Sequence, residues 1–557
     1  MTSPQNGNGI QSSTNQVGPS GNLAIDSLVG GLKWGGTQGS AANLSYSFPW
    51  ATTSQASWAQ GGSYSSLNEP GVGSSVTESA GGFALTAAQQ KTVSTVLGAW
   101  SSVANISFTP TSDTASNVGD LRFSWTHVNV SNASAWAYMP NAYYASGGDV
   151  WLSAANLSSS SSSWETGGRS FFALLHESGH SLGLKHPFEG TAVVAGIENT
   201  AEYSVMAYDD HPDATFIRIT GGANSFTATT LVVEPDTPMV NDILAMQYLY
   251  GANMAYHAGD DVYTFDPATP FFRTIWDGGG NDTISVANFT KPCTIDLQQG
   301  HFSKITIESD VLPAGQTWSG AAPKATYDGT NNLAIAYGAV IENAIGGSGN
   351  DTLIGNSANN RMTGGRGDDL IDGKEGIDSA IYAGARKGYL VNHSGATWTV
   401  QDRVGTEGRD TLTNIERLVF NDGGLALDLG KNESAGKAVQ MLGALYGLSS
   451  LSQPKSVGKM LDYFDSGVSL QEAGAYMVSS GTTAALAGGA SNAALVQLLY
   501  KNLVEVLPSA ATTASLVTYL DRGIFTQGQF VAAVAGLDFN QSHVGLVGLA
   551  ETGLVFA

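Results

Sequence analysis

A chain of 557 residues is too long for one compact core, so two to four folding units are expected. Lys and Arg total 24 against 47 Asp and Glu, a formal charge of -23, which argues against nucleic acid and polybasic membrane contacts and makes cation binding the natural use of the surplus carboxylate. The one cysteine, Cys293, excludes an intrachain disulfide and any Cys-based zinc or redox pair.

Residues 1–22 are polar and rich in Ser, Asn and Gly, and read as a disordered arm or pro-segment. Met1–Ser20 has neither the basic nor the apolar region of a signal peptide, and no stretch of about 18 apolar residues follows. From Leu44 to Leu152, β-rich runs at 44–49, 106–110, 120–126, 135–140 and 149–152 predict one sheet. Thr86–Val103 predicts a helix capped by Thr86, with Val93, Val96, Leu97, Trp100 and Val103 on one face. The serines of 158–163 predict a flexible loop, Arg169–Leu182 a second helix, and Met239–Tyr250 a third after an irregular stretch.

The second helix carries the strongest chemical signal. His176-Glu-Ser-Gly-His180-Ser-Leu-Gly183-Leu-Lys-His186 has the spacing H-E-x-x-H-x-x-G-x-x-H. Residues i and i+4 project from one helix face, so His176 and His180 reach a common metal. Gly183 can take a left-handed conformation that ends the helix and returns His186 as a third ligand. Three neutral imidazoles leave one coordination position open, the arrangement of a single catalytic zinc ion. Zinc would lower the pKa of a bound water toward about 7, and Glu177, one step round the helix, would accept its proton as it attacks a peptide carbonyl.

This motif resembles that of the metzincin proteases, and Tyr203-Ser-Val-Met206-Ala-Tyr208 resembles their Met-turn. The resemblance implies that Met206 forms a floor beneath the metal without ligating it. It also implies that Tyr208 is a switchable ligand or a donor to the developing oxyanion, a role worth about 3 kcal/mol. Tyr208, the calcium repeats described next and the fragment Asn241–Asn253 point within that group to the serralysin type. The same resemblance puts Ala135–Pro140 near an edge strand that pairs with extended substrate. It covers roughly residues 25–381. With no cysteine near the N-terminus, a carboxylate such as Asp26 is the candidate mask for the metal, against a solvated or capping role.

Glycines at 346, 355, 364 and 373 recur every nine residues, and the sixth position of each unit is Asp351, Asn360, Asp369 or Asp378. This is the nonapeptide calcium pattern of a parallel β-roll: glycine turns aim backbone carbonyls inward and the carboxylates complete oxygen cages between stacked turns. Candidate structural calcium ligands of the array are Gly346, Ser348, Asp351, Asn360, Gly364, Arg366, Asp369 and Asp378. Leu353, Met362, Ile371 and Ala380 are expected to form its core. Asn356 and Ala358 in the second unit and Lys374 in the fourth replace pattern glycines, which weakens the expectation of calcium there. An earlier loop, with Asp277, Gly279, Gly280 and Asp282, resembles the family's first calcium loop. Gly259 and Asp261 would add to it from the preceding strand, and Glu342 would serve a neighbouring site.

The fold expected is therefore multidomain α+β. A polar arm at 1–22 precedes a metzincin domain at 23–255 with a twisted sheet and an active-site helix, then a calcium-binding β-roll at 256–383. A β-rich extension at 384–430 and a mainly helical domain at 431–557 follow, with helical patterns at 438–446, 470–477, 494–504 and 513–521. The helical domain is left open between secretion, surface attachment and substrate recognition. Glu551–Ala557 is similar to serralysin export tails and reads equally as a terminal helix or strand. The activity expected is a secreted, extracellular zinc endopeptidase acting on protein or peptide substrates. It would be a monomer, exported in one step by type I-like machinery without a cleaved signal peptide. The alternatives are a calcium-dependent cell-surface or adhesion protein with a vestigial protease domain, and a dedicated protease for surface-layer proteins or adhesins.

Overall fold

The computed structural model describes residues 12–49, 82–112, 118–127, 132–142, 147–222, 225–313 and 321–557. The chain divides into two compact units, 1–283 with 298–341 and 284–297 with 342–557.

The first unit is built on a sheet in the order Ile106–Pro110, Ala42–Ser47, Leu121–Thr126, Val150–Ser153, Ala135–Ala137. The first four strands run parallel and Ala135–Ala137 closes the edge antiparallel. Leu121–Thr126 is buried along its whole length, as a central strand covered on both faces must be. One charge on it, Arg122, is neutralised by a two-pronged pairing with buried Asp149 at 3.0 Å.

The helix Ala87–Val103 starts where the sequence places it, with Thr86 and Gln89 satisfying each other's backbone N–H groups. Its buried face is the expected row Val93, Val96, Leu97, Trp100 and Val103. The site helix, Arg169–Leu182, buries Phe171, Leu174, Leu175 and Leu182. Three long side chains grip its backbone carbonyls: Trp100 donates to Leu175, Trp34 to Ser181 and Tyr250 to Leu182. The helix end is thereby fixed by the closing helix Val240–Tyr250 and by the strand Leu32–Trp34.

In this unit three expectations change. Residues 12–22 of the polar arm are ordered: Thr14–Gln16 pairs antiparallel with Leu32–Trp34, and Ser12 N–H donates to Asp120. A strand can be added by main-chain hydrogen bonds alone, without an apolar side chain to bury; residues 1–11 lie outside the described segments. The serine run is not a flexible loop throughout. Ser161–Trp164 forms a 3₁₀ turn, held by the Trp164 indole N–H on the Ser158 carbonyl and by the Ser163 and Ser170 hydroxyls at 2.8 Å. The irregular stretch before the third helix contains a long hairpin, Thr215–Gly222 against Ser225–Val232.

In the second unit, parallel strands alternate between two ladders. One runs Asn343–Ile345, Arg361–Thr363, Ser379–Ile381, Arg417–Phe420; the other runs Thr294–Asp296, Thr352–Ile354, Leu370–Asp372, Arg409–Thr413. Leu353, Met362, Ile371 and Ala380 point inward and are at most 2% exposed, and Leu412 and Leu418 continue the row. The residues read as a separate β-rich extension thus carry on the same ladders. A hairpin, Tyr389–Ser394 with Thr397–Asp402, interrupts the repeat and hides that continuity in the sequence.

Helices from Ser434 to Thr552 share a core that includes Val439, Leu442, Phe464, Leu495, Val496 and Val531. The chain ends as a strand, Leu554–Phe556, paired antiparallel with Gly423–Ala426. Among the described residues no helix is long and apolar enough to cross a membrane.

Candidate metal centre

The cleft beside the site helix has a volume of about 830 Å³ and is bordered by the edge strand Ala135–Ala137 and by His176, Glu177, His180, His186 and Tyr208. His176, His180 and His186 bring one ring nitrogen each within 4.8 Å of the others. His186 Nε2 lies 3.0 Å from His180 Nε2 and 3.3 Å from His176 Nε2. Gly183 makes this possible: its φ of +116° and its N–H on the Gly179 and His180 carbonyls turn the chain back. A β-carbon there would also stand 2.6 Å from the Leu32 carbonyl oxygen.

The outer nitrogens settle the tautomers. His176 Nδ1 is 2.7 Å from the Val205 carbonyl and His180 Nδ1 is 2.8 Å from that of Leu184. Each carbonyl can only accept, so each Nδ1 carries the proton and each Nε2 turns a lone pair inward. His186 Nδ1 lies 2.9 Å from the Glu189 carboxylate. Burial, then the neighbouring imidazoles, hold His176 well below its ordinary pKa and His180 down at about 4, so both are neutral near pH 7. Converging lone pairs without a proton between them suit a bound divalent cation, and three imidazole donors suit zinc.

Glu177 is buried, and burial pushes its carboxyl up to about 8. Met206 is fully buried and packs beneath the helix at Gly179, where a β-carbon would sit 2.5 Å from the Met206 sulfur. Tyr208 is 68% exposed, its ring 4.4 Å from that of His186 and 5.0 Å from that of Phe188. Burial and then the charge of Glu177 raise its phenol pKa, so it remains a donor. Asp26 accepts from Ser20 and Gly21 backbone N–H groups and is thus a local cap.

Several supporting residues escaped sequence reasoning. Asp242, fully buried, accepts from the Ser204 hydroxyl and from the backbone N–H groups of Val205 and Met239, tying the turn that carries Met206 to the closing helix. Buried Glu202 and His211 lie 3.1 Å apart and bracket the same segment, with His211 stacked on Phe272. Gly179 was visible only as an unspecified position of the motif. Asp242 lay within the fragment Asn241–Asn253, but nothing local connected it to residue 205.

The calcium candidates fall into two groups. In the first unit, Asp261 N–H donates to Asp282, Gly279 N–H to Asp277, and a β-carbon at Gly280 would lie 2.3 Å from the Gly259 carbonyl oxygen. His257 joins Asp261 and Asp277 in a cluster within 4.8 Å, a member the sequence reading did not include. In the second unit, Asp351 accepts from Cys293 and Gly347, and Asp369 accepts from Asp351 N–H. A β-carbon on Gly346 would meet the Gly364 carbonyl at 2.1 Å. Ser348 and Arg366 bond their backbone N–H groups to Phe289 and Gly347, while Glu342 meets Asn360 through its backbone carbonyl. Asp369 and Asp378 are fully buried and each keeps one carboxylate oxygen without a hydrogen-bond partner, as oxygens facing a cation would.

Three segments of the chain match known protein families. Residues 77–213 match the matrixin family, 242–311 the peptidase M10 serralysin C-terminal family, and 345–380 four copies of the RTX calcium-binding nonapeptide repeat. A serralysin of Proteus mirabilis is 32% identical over 46% of this chain and 52% of its own length. One of Photorhabdus sp. strain Az29 is 31% identical over 60% and 63%. The metallopeptidase AprA of Pseudomonas marginalis is 30% identical over 52% and 57%. The chain spans between about half and just under two thirds of these relatives. It carries a matrixin domain, a serralysin C-terminal segment and RTX calcium-binding repeats, and it is similar to the serralysins at about 30% identity.

Proposed function

We propose that the protein is a zinc endopeptidase that cleaves extended protein substrates outside the cell. The observation that carries this reading is the convergence of three imidazole Nε2 lone pairs beside a buried glutamate, on a cleft bordered by a sheet edge. His176, His180 and His186 would hold the zinc ion. When bound, zinc supplies Lewis acidity toward water and the scissile carbonyl.

The chain's own residues do the rest. Ala135–Ala137, the last strand of its sheet, offers backbone groups to an extended peptide, which fixes the substrate along the cleft. Glu177 takes the proton of the attacking water on its carboxylate and passes it to the leaving amine, the work of a general base placed one step along the helix from His176. The Tyr208 hydroxyl donates to the carbonyl oxygen as negative charge grows on it. Met206 and Asp242 hold the turn that sets the height of Tyr208 and the orientation of His176, through the Val205 carbonyl. An extracellular setting, where calcium is plentiful, suits the buried acid rows of the roll, whose charge a bound cation would neutralise.

Casein digestion by the purified full chain tests this. Hydrolysis should stop with 1,10-phenanthroline and return with added zinc. Full activity in the chelated protein would refute the proposal.

A further inference from the structure

The four repeats end at Asp378–Ile381, but the turn geometry does not. On one edge of the roll, Asn360 N–H donates to Asp378 Oδ1 at 2.7 Å, and Asp378 N–H in turn donates to Glu416 Oε2 at 2.8 Å. The neighbouring backbone repeats too: Ser379 N–H donates to the Asn360 carbonyl and Arg417 N–H to that of Asp378. A β-carbon at Gly355 would lie 2.2 Å from the Gly373 carbonyl oxygen, and one at Gly373 would lie 2.0 Å from that of Asn414. Asn414 therefore stands where the next unit's first glycine would, and Glu416 where its aspartate would.

This turn is shorter than a repeat turn, reaching the acid in the three residues Asn414–Glu416 where Gly373–Asp378 takes six. Asn414 absorbs the tight bend with a φ of +50°, a conformation asparagine tolerates better than most side chains. The extra methylene of glutamate extends its carboxylate to Asp378 across the shortened loop.

The two neighbouring turns differ in what they require. In the second repeat Asn360 is self-sufficient: its amide donates to the Glu342 carbonyl and the Asn356 side chain, and its oxygen accepts from Asn356 N–H. Asp378 is also fully buried, yet its Oδ2 has no hydrogen-bond partner. That oxygen and the Asn414 carbonyl both lie within 2.5 Å of the point where a Gly373 β-carbon would stand, so the two face one space. Arg417, next to Glu416, donates from Nη1 to the Glu416 backbone carbonyl at 2.8 Å, and the adjacent cations pair with other carboxylates. Lys374 pairs with Asp372, and Arg417 with Asp428 and Asp465.

We propose that Gly373–Asp378 and Asn414–Glu416 form a calcium site outside the repeat pattern, with the carboxylates of Asp378 and Glu416 and the Asn414 carbonyl as ligands. All donors are oxygens, two of them anionic, which selects a hard divalent cation over zinc or copper. The site would close the roll beyond its last repeat and seat calcium in the fourth unit despite Lys374. It rests on the reading of the repeats as calcium-binding.

Equilibrium dialysis of the full chain against calcium, with metal counted by mass spectrometry, tests it. Glu416→Gln should bind one ion fewer per chain than the wild type. Glu375→Gln, which alters an exposed acid in the same turn, should bind the wild-type number. Equal counts in E416Q and wild type would overturn this site alone, whereas a wild type taking up no calcium would overturn the reading of the repeats with it. Should E416Q fail to fold, crystals of the wild type soaked in terbium decide the matter. An anomalous peak touching Asp378 and Glu416 is expected, and its absence while the earlier turns are occupied would refute the proposal.

Discussion

Replacing Gly183 by alanine probes the turn on which the metal centre depends. Its φ of +116° lies in the left-handed region, where an L side chain costs about 1–2 kcal/mol. The added methyl would also meet the Leu32 carbonyl oxygen at 2.6 Å, a backbone atom held in the pairing of Leu32–Trp34 with Thr14–Gln16. Overpacking of that kind costs about 1–3 kcal/mol. Together these give about 2–5 kcal/mol, unless the turn relaxes by moving Leu184 and His186. Relaxation carries its own signature, because the Leu184 carbonyl orients His180 and His186 is the third imidazole. Urea unfolding of the first unit and zinc titration, run on the same G183A preparation, should show lost stability, weakened zinc binding, or both. A variant within about 0.5 kcal/mol of wild type that binds zinc equally well would refute the assignment of this glycine.

Asp242→Ala leaves three buried donors without their acceptor and should destabilise the first unit by at least about 2 kcal/mol, read from its urea midpoint. Tyr208→Phe should lower kcat by roughly 10²-fold with zinc content unchanged; unaltered kcat in peptide hydrolysis would remove Tyr208 from the mechanism. In calcium-free protein, burial and neighbouring carboxylates raise Asp369 and Glu416 to about 7 and Asp378 and Asp410 to about 8. These folded values lie above the unfolded ones, so the stability contributed is full below about pH 4 and is lost as pH rises through about 8. Calorimetry in chelator should therefore show a higher midpoint at about pH 5.5 than at about pH 8.5, and saturating calcium should remove the difference; a flat profile in chelator would contradict it.

Much of the centre was legible because its chemistry is compressed into eleven residues. A helix face, a base one step along and a glycine that must turn left are local requirements, and His176 to His186 meets each in sequence. The regular period of nine made the inward row from Leu353 to Ala380 legible for the same reason. What escaped reading depends on distant partners. Asp242 looks like an ordinary helix-starting acid until the turn at 204–206 is folded against it, and Gly179 looks like filler until Met206 packs there.

The hairpin strands Thr215–Gly222 and Ser225–Val232 alternate residue types well enough to have been read, but their many threonines and their glycines resembled loop. Beyond residue 383 the interruption by the hairpin at 389–402 breaks the repeat, so the return of the same ladder at 409–420 is invisible to a search for period. The helix Pro454–Asp465 was also missed, since its buried residues Val457, Met460, Leu461 and Phe464 are diluted by Gly458 and two lysines.

The central claim is that Glu177 and the three histidines perform zinc-dependent peptide hydrolysis. Turnover of an internally quenched peptide with blocked ends, compared for wild type and Glu177→Gln at equal zinc content, tests it most directly. The substitution keeps size and metal ligands but removes the proton acceptor, so turnover should fall by about 10²–10⁴-fold with one zinc ion still bound per chain. Turnover by the glutamine variant equal to that of the wild type would contradict it.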